Sequence, residues 1–136
     1  MGTHRVFVNL PVEDLSRSVA FFTRLGFTFD QRFTDETATC MIVGENISVM
    51  LLTHPKFGMF TPKEICDATK STEVLVALSC ESRAEVDEMV RKAVAAGGST
   101  YSEPQDHGFM YGHGFQDPDG HIWEVFHMEA AAVQQA

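Results

Sequence analysis

The stretch DPDGHIWEVFH, residues 117–127, combines a tight turn with a β-strand, and the rest of the chain is organised around it. Its first four residues predict the turn, because Pro118 presets its own φ, Asp119 can hydrogen-bond its own backbone, and Gly120 tolerates a positive φ. The alternating residues that follow, 121–127, predict the strand.

Glu124 is the residue of this strand that raises the question of function. Side chains alternate between the two faces of a strand, which places Glu124 between Ile122 and Phe126 on one face. An ionised carboxylate among apolar neighbours is costly unless it is paired, bound to a metal or protonated. Glu124 is therefore the candidate catalytic residue, as a general base or as a grip on a polar or cationic ligand group. The alternative is an acid satisfied by a neighbouring Asn, Tyr or Arg.

The length and composition of the chain fit one globular domain with a core of its own. Of its 136 residues, 44% are hydrophobic and 21% are charged, which are ordinary values for a folded protein. No apolar run reaches the roughly 18 residues that a membrane helix needs, and the first residues show no signal peptide. Three cysteines without Cys-x-x-Cys spacing are typical of reduced side chains, so a cytoplasmic location is expected.

The formal net charge of −9 limits the partners of the protein. It argues against nucleic acid and against an anionic membrane surface. It favours a cationic ligand, although an acidic surface that only aids solubility explains the charge as well.

The same order of elements occurs twice along the chain. In the first half, strands are predicted at 6–10, 27–33, 37–43 and 47–53, with one helix between Asp14 and Gly26 and Pro11 ending the first strand. In the second half, strands are predicted at 74–80, 100–106, 109–116 and 121–127, with one helix between Ser82 and Gly97. Ser82 and Glu85 form a capping box, and the glycines are natural residues to end a helix.

The segment 54–72 separates the two halves. Its Gly and Pro residues interrupt the pattern, and a short helix is predicted at 63–68. Its phenylalanines either cover a pocket or a partner, or pack on the edge of the domain itself. The chain is therefore expected to form a single domain, 1–136, with module one at 4–53, a linker at 54–72 and module two at 73–128.

A duplicated βαβββ unit is the simplest account of this order. Each unit forms a four-stranded sheet with a helix on one face, so its second face also has to be buried. Curving the two sheets around a shared pocket buries that face. The sequence therefore predicts an α+β fold, with an eight-stranded mixed sheet around a central pocket and the helices outside.

Several motifs carry a resemblance to a known family. They are Val12-Glu13-Asp14-Leu15 with Ser18 and Phe21-Phe22, then Leu25-Gly26-Phe27, Ala95-Ala96-Gly97-Gly98, and Asp117-Pro118-Asp119-Gly120 with Glu124. Through them the chain, from Arg5 to about Met128, resembles the vicinal oxygen chelate superfamily, which includes glyoxalase I, bleomycin resistance proteins and extradiol dioxygenases. It also looks like a bacterial subgroup labelled predicted lactoylglutathione lyases, a label that says little about chemistry.

The resemblance implies where a metal site would be. In the metalloenzymes of that superfamily, four residues on strands one, four, five and eight hold a divalent ion, typically two His and two Glu in glyoxalase I. These positions fall on Phe7, Leu51, Leu75 and Glu124, and only Glu124 can ligate a metal. Because a divalent ion needs three or four converging ligands, no metal cofactor is expected.

The remaining candidates are residues of the implied pocket. Asn9 is expected to hydrogen-bond Glu124 or the ligand, or else the turn at Pro11. Tyr111 and His113, on one face of their predicted strand, either donate and relay protons in the pocket or face water. The complete set of predicted ligand-binding residues is Phe7, Asn9, Leu51, Leu75, Ala77, Tyr111, His113 and Phe126.

The resemblance leaves three functions open. The first is a protein that binds a small molecule without a metal, as bleomycin resistance proteins sequester drugs. The second is a glyoxalase-type lyase or isomerase with Glu124 as general base, whereas an extradiol dioxygenase is disfavoured because its iron needs two His and one Glu. The third is a pure interaction domain that uses the Phe-rich linker. A homodimer is expected, because the edge strands need covering and family members commonly pair.

Overall fold

The computed structural model describes Gly2 and residues 4–129, and the chain divides into two compact units, Met1–Cys66 and Asp67–Ala136. The first unit contains β1 (Val6–Val12), α1 (Leu15–Arg24), β2 (Thr28–Asp30), a 3₁₀ turn (Gln31–Phe33), β3 (Ala38–Gly44), β4 (Ile47–Thr53) and α2 (His54–Gly58). The second contains β5 (Leu75–Ser79), α3 (Arg83–Ala95), β6 (Gln105–Asp106), β7 (Met110–Gln116) and β8 (Ile122–Met128). The division falls inside the predicted linker.

Each unit contains one four-stranded mixed sheet, and the two sheets have the same topology. The strand order is β1-β4-β3-β2 in the first unit and β5-β8-β7-β6 in the second. In both, the first strand pairs in parallel with the fourth, and the other pairs are antiparallel. The α+β fold of two tandem βαβββ modules is thereby confirmed.

The helix ends follow the predicted local chemistry. The Asp14 carboxylate accepts a hydrogen bond from the Arg17 backbone N–H at 3.1 Å, and Gly26 closes α1 with φ of 102°. The Ser82 hydroxyl accepts a hydrogen bond from the Glu85 backbone N–H at 3.1 Å, which starts α3. Within the described part of the chain, no helix is long and apolar enough to cross a membrane.

The cores of both units are built from the alternating face of the central strands. In the first unit, Leu10 and Leu51 are register partners on such a face, and both are buried. In the second unit, Trp123 and Val125 are fully buried, and α3 supplies Val86, Val90 and Ala93 as the matching apolar stripe.

The linker helix is placed wrongly by the sequence. The structure has a helix at His54–Gly58, which Pro55 favours because a fixed φ suits the first turn, and it has none at 63–68. Just beyond, the Asp67 carboxylate accepts hydrogen bonds from the Thr69 backbone N–H and hydroxyl at 3.0 and 2.7 Å. Such local bonds offer the backbone an alternative to a helix.

Three strand boundaries also differ from the sequence prediction. β1 continues through Pro11 to Val12, which an edge strand permits because its outer N–H groups have no partner in the sheet. β2 stops at Asp30, whose carboxylate accepts a hydrogen bond from the Arg32 backbone N–H and caps a 3₁₀ turn. The strand predicted at 100–106 shrinks to Gln105–Asp106, and the residues before it form an irregular loop.

Candidate functional site

The turn at 117–120 holds β8 in place through the Asp117 side chain. One carboxylate oxygen accepts hydrogen bonds from the backbone N–H groups of Asp119 and His121 at 2.9 and 3.0 Å. The other accepts one from the indole N–H of Trp123 at 3.0 Å. In the structure, the carboxylate that bonds the backbone of this turn belongs to Asp117. Gly120 has φ of 93°, as the turn requires.

Tyr111 identifies the face of the second sheet that α3 covers. Its hydroxyl donates a hydrogen bond to the carboxylate of Asp87 on α3 at 2.6 Å, and the Arg83 guanidinium lies 5.2 Å from its ring centre. Because alternate residues of a strand point to opposite sides, Gly112 and Gly114 belong to the other face. The prediction that Tyr111 shares a pocket with Glu124 is therefore wrong.

Glu124 lies on the face opposite α3, and small residues flank it on both neighbouring strands. Its register partners are Ala77 of β5 and Gly114 of β7. A methyl group stands on one side of the carboxylate, and on the other the missing side chain of Gly114 leaves room that Tyr101 occupies. Along β8 its neighbours on this face are Ile122 and Phe126, as the alternation predicted. The carboxylate therefore stands in a cleft with apolar ends.

A cavity of about 400 Å³ opens over this cleft. Its lining residues are Ala77, Tyr101, Ser102, Glu103, Gln105, His107, Met110, Gly112, His113, Gly114, Glu124, Val125 and Phe126. The lining contains two carboxylates and two imidazoles, but neither Lys nor Arg. Apolar walls with a few convergent polar groups are typical of small-molecule sites.

The Glu124 carboxylate is half-buried in this cavity. Within residues 4–129, no group donates a hydrogen bond to it, so the described protein leaves its acceptor capacity open. The Tyr101 phenol, which also lines the cavity, is affected by the charge of Glu124. Burial first, and then the negative charge of Glu124, raise the pKa of Tyr101 above its usual value.

Tyr101 is one of the lining residues that sequence reasoning missed. It belongs to the irregular loop before β6, and its ring lies over Gly114. A Cβ atom at Gly114 would be only 2.2 Å from the Tyr101 hydroxyl oxygen. A glycine on the same face as Glu124 is the one sequence signal for such a close approach.

Three of the predicted site residues, Glu124, Ala77 and Phe126, share one face of the sheet and line this cavity. His113 also lines the cavity, although alternation along β7 places it on the face of Tyr111. The imidazole Nε2 of His113 lies 2.9 Å from the carbonyl oxygen of Ser102, which ties β7 to the loop that carries Tyr101. Leu75 shares the face of Ala77 but lies outside the lining, and it is 52% exposed.

The other predicted residues belong to the first unit. Phe7 and Asn9 lie on one face of β1 and are exposed. Leu51 is the register partner of Leu10 on the opposite face, and it is fully buried. The prediction that Leu51 shares a face with Phe7 is therefore wrong by one residue, since a shift of one reverses the side of a strand.

The residues present do not fit the metal site that the resemblance implies. Phe7 and Leu75 carry no donor atom. Leu51 lies on the other face, and its neighbours Met50 and Leu52, on the face of Phe7, offer only a thioether and a hydrocarbon. Among the residues that the structure describes, no group of three or more His, Cys, Asp and Glu side chains is placed to hold one ion. A divalent metal needs three or four such donors around a single point.

The sequence and the fold are similar to known proteins. The sequence model of the Glyoxalase/Bleomycin resistance protein/Dioxygenase superfamily matches residues 4–125. A hypothetical protein from S. aureus is 29% identical, with a TM-score of 0.77 over 89% of this chain and 91% of that one. No curated protein sequence matches the chain.

Two more distant structures share the fold alone. A glyoxalase-related enzyme from Fulvimarina pelagi is 19% identical, with a TM-score of 0.77 over 90% of this chain and 86% of that one. A fosfomycin resistance protein from Mesorhizobium loti is 13% identical, with a TM-score of 0.70 over 98% of this chain and 99% of that one. At such identities the likeness carries no substrate from one protein to another.

Proposed function

The chain belongs to the glyoxalase/bleomycin resistance protein/dioxygenase superfamily, and on that basis we propose that it binds a small cationic molecule in the cavity of its second unit without a metal ion. The observation that carries the proposal is the Glu124 carboxylate, half-buried between Ala77 and Gly114 with no described donor. The metal-free part of the proposal rests on the three family ligand positions that carry no donor atom.

The charge of the second unit supports a cationic ligand. Residues 67–136 contain twelve Asp and Glu against four Lys and Arg, a formal charge of −8. The cavity lining repeats this imbalance, with Glu103 and Glu124 and no basic side chain other than imidazoles. A cleft lined by charge of one sign raises the local concentration of ligands of the opposite sign.

Magnitudes indicate which group contributes most to binding. At an effective dielectric constant of about 20, unit charges 4 Å apart attract by roughly 4 kcal/mol before the cost of desolvation is subtracted. A cation over an aromatic ring gains roughly 0.5–2 kcal/mol. The carboxylate of Glu124 is therefore expected to dominate, with the rings of Tyr101 and Phe126 adding apolar contact.

The contribution of Glu124 to binding can be measured by isothermal titration calorimetry with benzyltrimethylammonium, a compact aromatic cation. Glu124→Gln keeps the size and removes the charge, so we expect affinity to fall at least about tenfold, or roughly 1.4 kcal/mol. Glu73→Gln is the matched control, because it removes the same charge from an exposed residue outside the cavity. We expect that control to change affinity less than about twofold.

Two results would contradict the proposal. Equal losses in both variants would show that the overall charge, and not the site, attracts the probe. Stoichiometric Ni, Zn or Fe in the purified protein, with a glyoxalase activity that Glu124→Gln abolishes, would assign the chain to the metal-dependent lyases of the superfamily instead.

We also propose that the protein is a homodimer. The sheet of the first unit ends in β1 and β2, and that of the second in β5 and β6. Edge strands present unpaired backbone groups and are commonly covered by a partner. On β1, Val6 and Phe7 are 51% and 43% exposed. A monomeric mass by light scattering at micromolar concentration would refute the dimer.

A further inference from the structure

Tyr101 occupies space that is available only because residue 114 is a glycine. The backbone N–H groups of Ser99 and Gln116 donate to each other's carbonyl oxygens at 3.1 and 2.7 Å, which attaches the start of the loop to β7. The loop then carries Tyr101 back over Gly114. A Cβ at Gly114 would meet the hydroxyl oxygen at 2.2 Å, ring carbon Cζ at 2.8 Å and Cε1 at 3.1 Å. The phenol thus fills the space of the side chain that Gly114 lacks.

The absence of a side chain at Gly114 places the phenol of Tyr101 beside the carboxylate of Glu124. Gly114 is the register partner of Glu124, on the same face of the sheet. Tyr101 and Glu124 both line the cavity, and Tyr101 is 45% exposed, so its ring remains accessible. Within residues 4–129 its hydroxyl makes no hydrogen bond to protein, which leaves the group available to a ligand.

We propose that Tyr101 is a ligand-contacting residue of this site, with its ring forming the wall against which a cation bound to Glu124 is held. This inference deepens the proposed function and rests on it. A carboxylate and an aromatic ring that line the same cavity are complementary to an organic ammonium group that carries an apolar substituent. The ring occupies the space beside Gly114, at one end of the row that Ala77, Glu124 and Gly114 form across three strands.

The arrangement can be tested without any ligand. The chain has two tyrosines, so in a Tyr111→Phe background the absorbance of tyrosinate reports on Tyr101 alone. The negative charge of Glu124 raises the pKa of Tyr101, and Glu124→Gln is therefore expected to lower it. Gly114→Ala is expected to shift it as well, because the added methyl displaces the phenol.

Gly112→Ala is the matched control for that titration. It adds the same methyl on the same face of β7, but the nearest atoms are the Val125 carbonyl oxygen at 3.4 Å and Phe126 Cβ at 3.6 Å, which are ordinary contacts. We expect the pKa of Tyr101 to stay unchanged in this variant. A pKa of Tyr101 that is the same in Glu124→Gln as in the background would overturn the inference, whatever the protein binds.

The ligand measurement uses benzyltrimethylammonium in the same Tyr111→Phe background. Tyr101→Ala is expected to weaken binding roughly fivefold, whereas Tyr101→Phe, which keeps the ring, should retain most of the affinity. Equal affinity in the background and in Tyr101→Ala would overturn the inference while leaving the proposed function in place. If the background binds no probe, the proposed function fails, and the titration alone then supports or overturns the placement of Tyr101 beside Glu124.

Discussion

The two units share a topology, yet only the second carries the candidate site. In the first, the row of register partners Asn9, Met50 and Cys40 crosses three strands, and Cys40 is fully buried. In the second, the comparable row is Ala77, Glu124 and Gly114. The first row has the long apolar side chain of Met50 at its centre, whereas the second has an acid between two small residues, and Tyr101 occupies the space beside Gly114. The side chains of the row, and not the topology, distinguish the two faces.

The two units also differ in formal charge, and the second unit, which carries the candidate site, is the more acidic one. The first has seven Asp and Glu against six Lys and Arg, a formal charge of −1, whereas the second has a formal charge of −8. Repulsion among like charges lowers the stability of a compact unit. The second unit therefore combines an unfilled face with an unbalanced charge, and both features suit a cationic ligand at the expense of stability.

The largest expected effect concerns the turn that precedes β8. Asp117→Ala removes the acceptor for two backbone N–H groups and for the buried indole N–H of Trp123, so we expect a loss of about 3–4 kcal/mol in the free energy of unfolding. Urea denaturation measures it. Glu45, in the hairpin turn between β3 and β4, is the matched residue of the first unit. Because it is exposed, Glu45→Ala should cost less than about 0.5 kcal/mol. Comparable losses of unfolding free energy in the two variants would show that Asp117 stabilises its turn no more than Glu45 does.

An exchange of side chains tests the comparison of the two rows. Met50→Glu places a carboxylate next to the buried Cys40, and we expect it to destabilise the protein by roughly 2 kcal/mol. Glu124→Met replaces an unpartnered acid by a residue that fills the cleft, which we expect to stabilise the protein by about 1 kcal/mol while abolishing binding of benzyltrimethylammonium. Denaturant midpoints measure the change in stability, and calorimetry measures the change in binding. A destabilised Glu124→Met would mean that the acid has a structural partner.

The smallest expected effect concerns ion pairs. Arg83 bonds the Asp106 carboxylate at 2.8 Å and the Gly108 carbonyl oxygen at 3.0 Å, which joins the start of α3 to the β6–β7 hairpin on the cavity rim. Among the described residues of the first unit, the ion pair of Arg32 is with Asp30, two residues away. The hydrogen bond from Arg83 holds the pKa of Asp106 below its usual value, and Arg32 does the same for Asp30.

The sign of the pH dependence follows from these lowered pKa values. Each pair stabilises the fold above the ordinary pKa of an aspartate, and the contribution is lost as the pH falls through the lowered value. Arg83→Gln should therefore lower the melting temperature slightly at neutral pH and not at all in strong acid, and high salt should shrink the difference. Arg32→Gln is the control, and only Arg83→Gln should speed amide hydrogen exchange at 105–110. Equal exchange in both variants would argue against a role for Arg83 in holding the hairpin.

Local chemistry allowed much of the fold to be predicted. Asp14 and Ser82 cap the two long helices as expected, and Gly26 and Gly97 end them with positive φ. Strand β4 has the predicted bounds. These features depend on neighbours within a few residues, so the sequence displays them directly. Glu124 and Trp123 fall on opposite faces because alternation along one strand is equally local.

The wrong predictions about the site have a common cause, which is that they concern contacts between strands and loops and not local chemistry. Tyr111 and Leu51 were assigned to the wrong faces, since the side on which a residue lies follows from its register with another strand. Tyr101 was missed because a loop of irregular conformation, attached by Ser99 and Gln116, brings it over Gly114. Register and loop path depend on contacts between residues far apart in the chain, and single-strand periodicity contains no information about them.

The sequence by itself determined that two βαβββ units follow one another, where each helix begins and ends, and that one acid, Glu124, lies among apolar residues. Only the tertiary structure decided that Ala77 and Gly114 flank this acid, that Tyr101 lies over Gly114 beside it, and that Tyr111 packs against α3. The reason is physical: caps, turns and alternation are set by bonded neighbours, whereas a cavity is set by which side chains meet across strands.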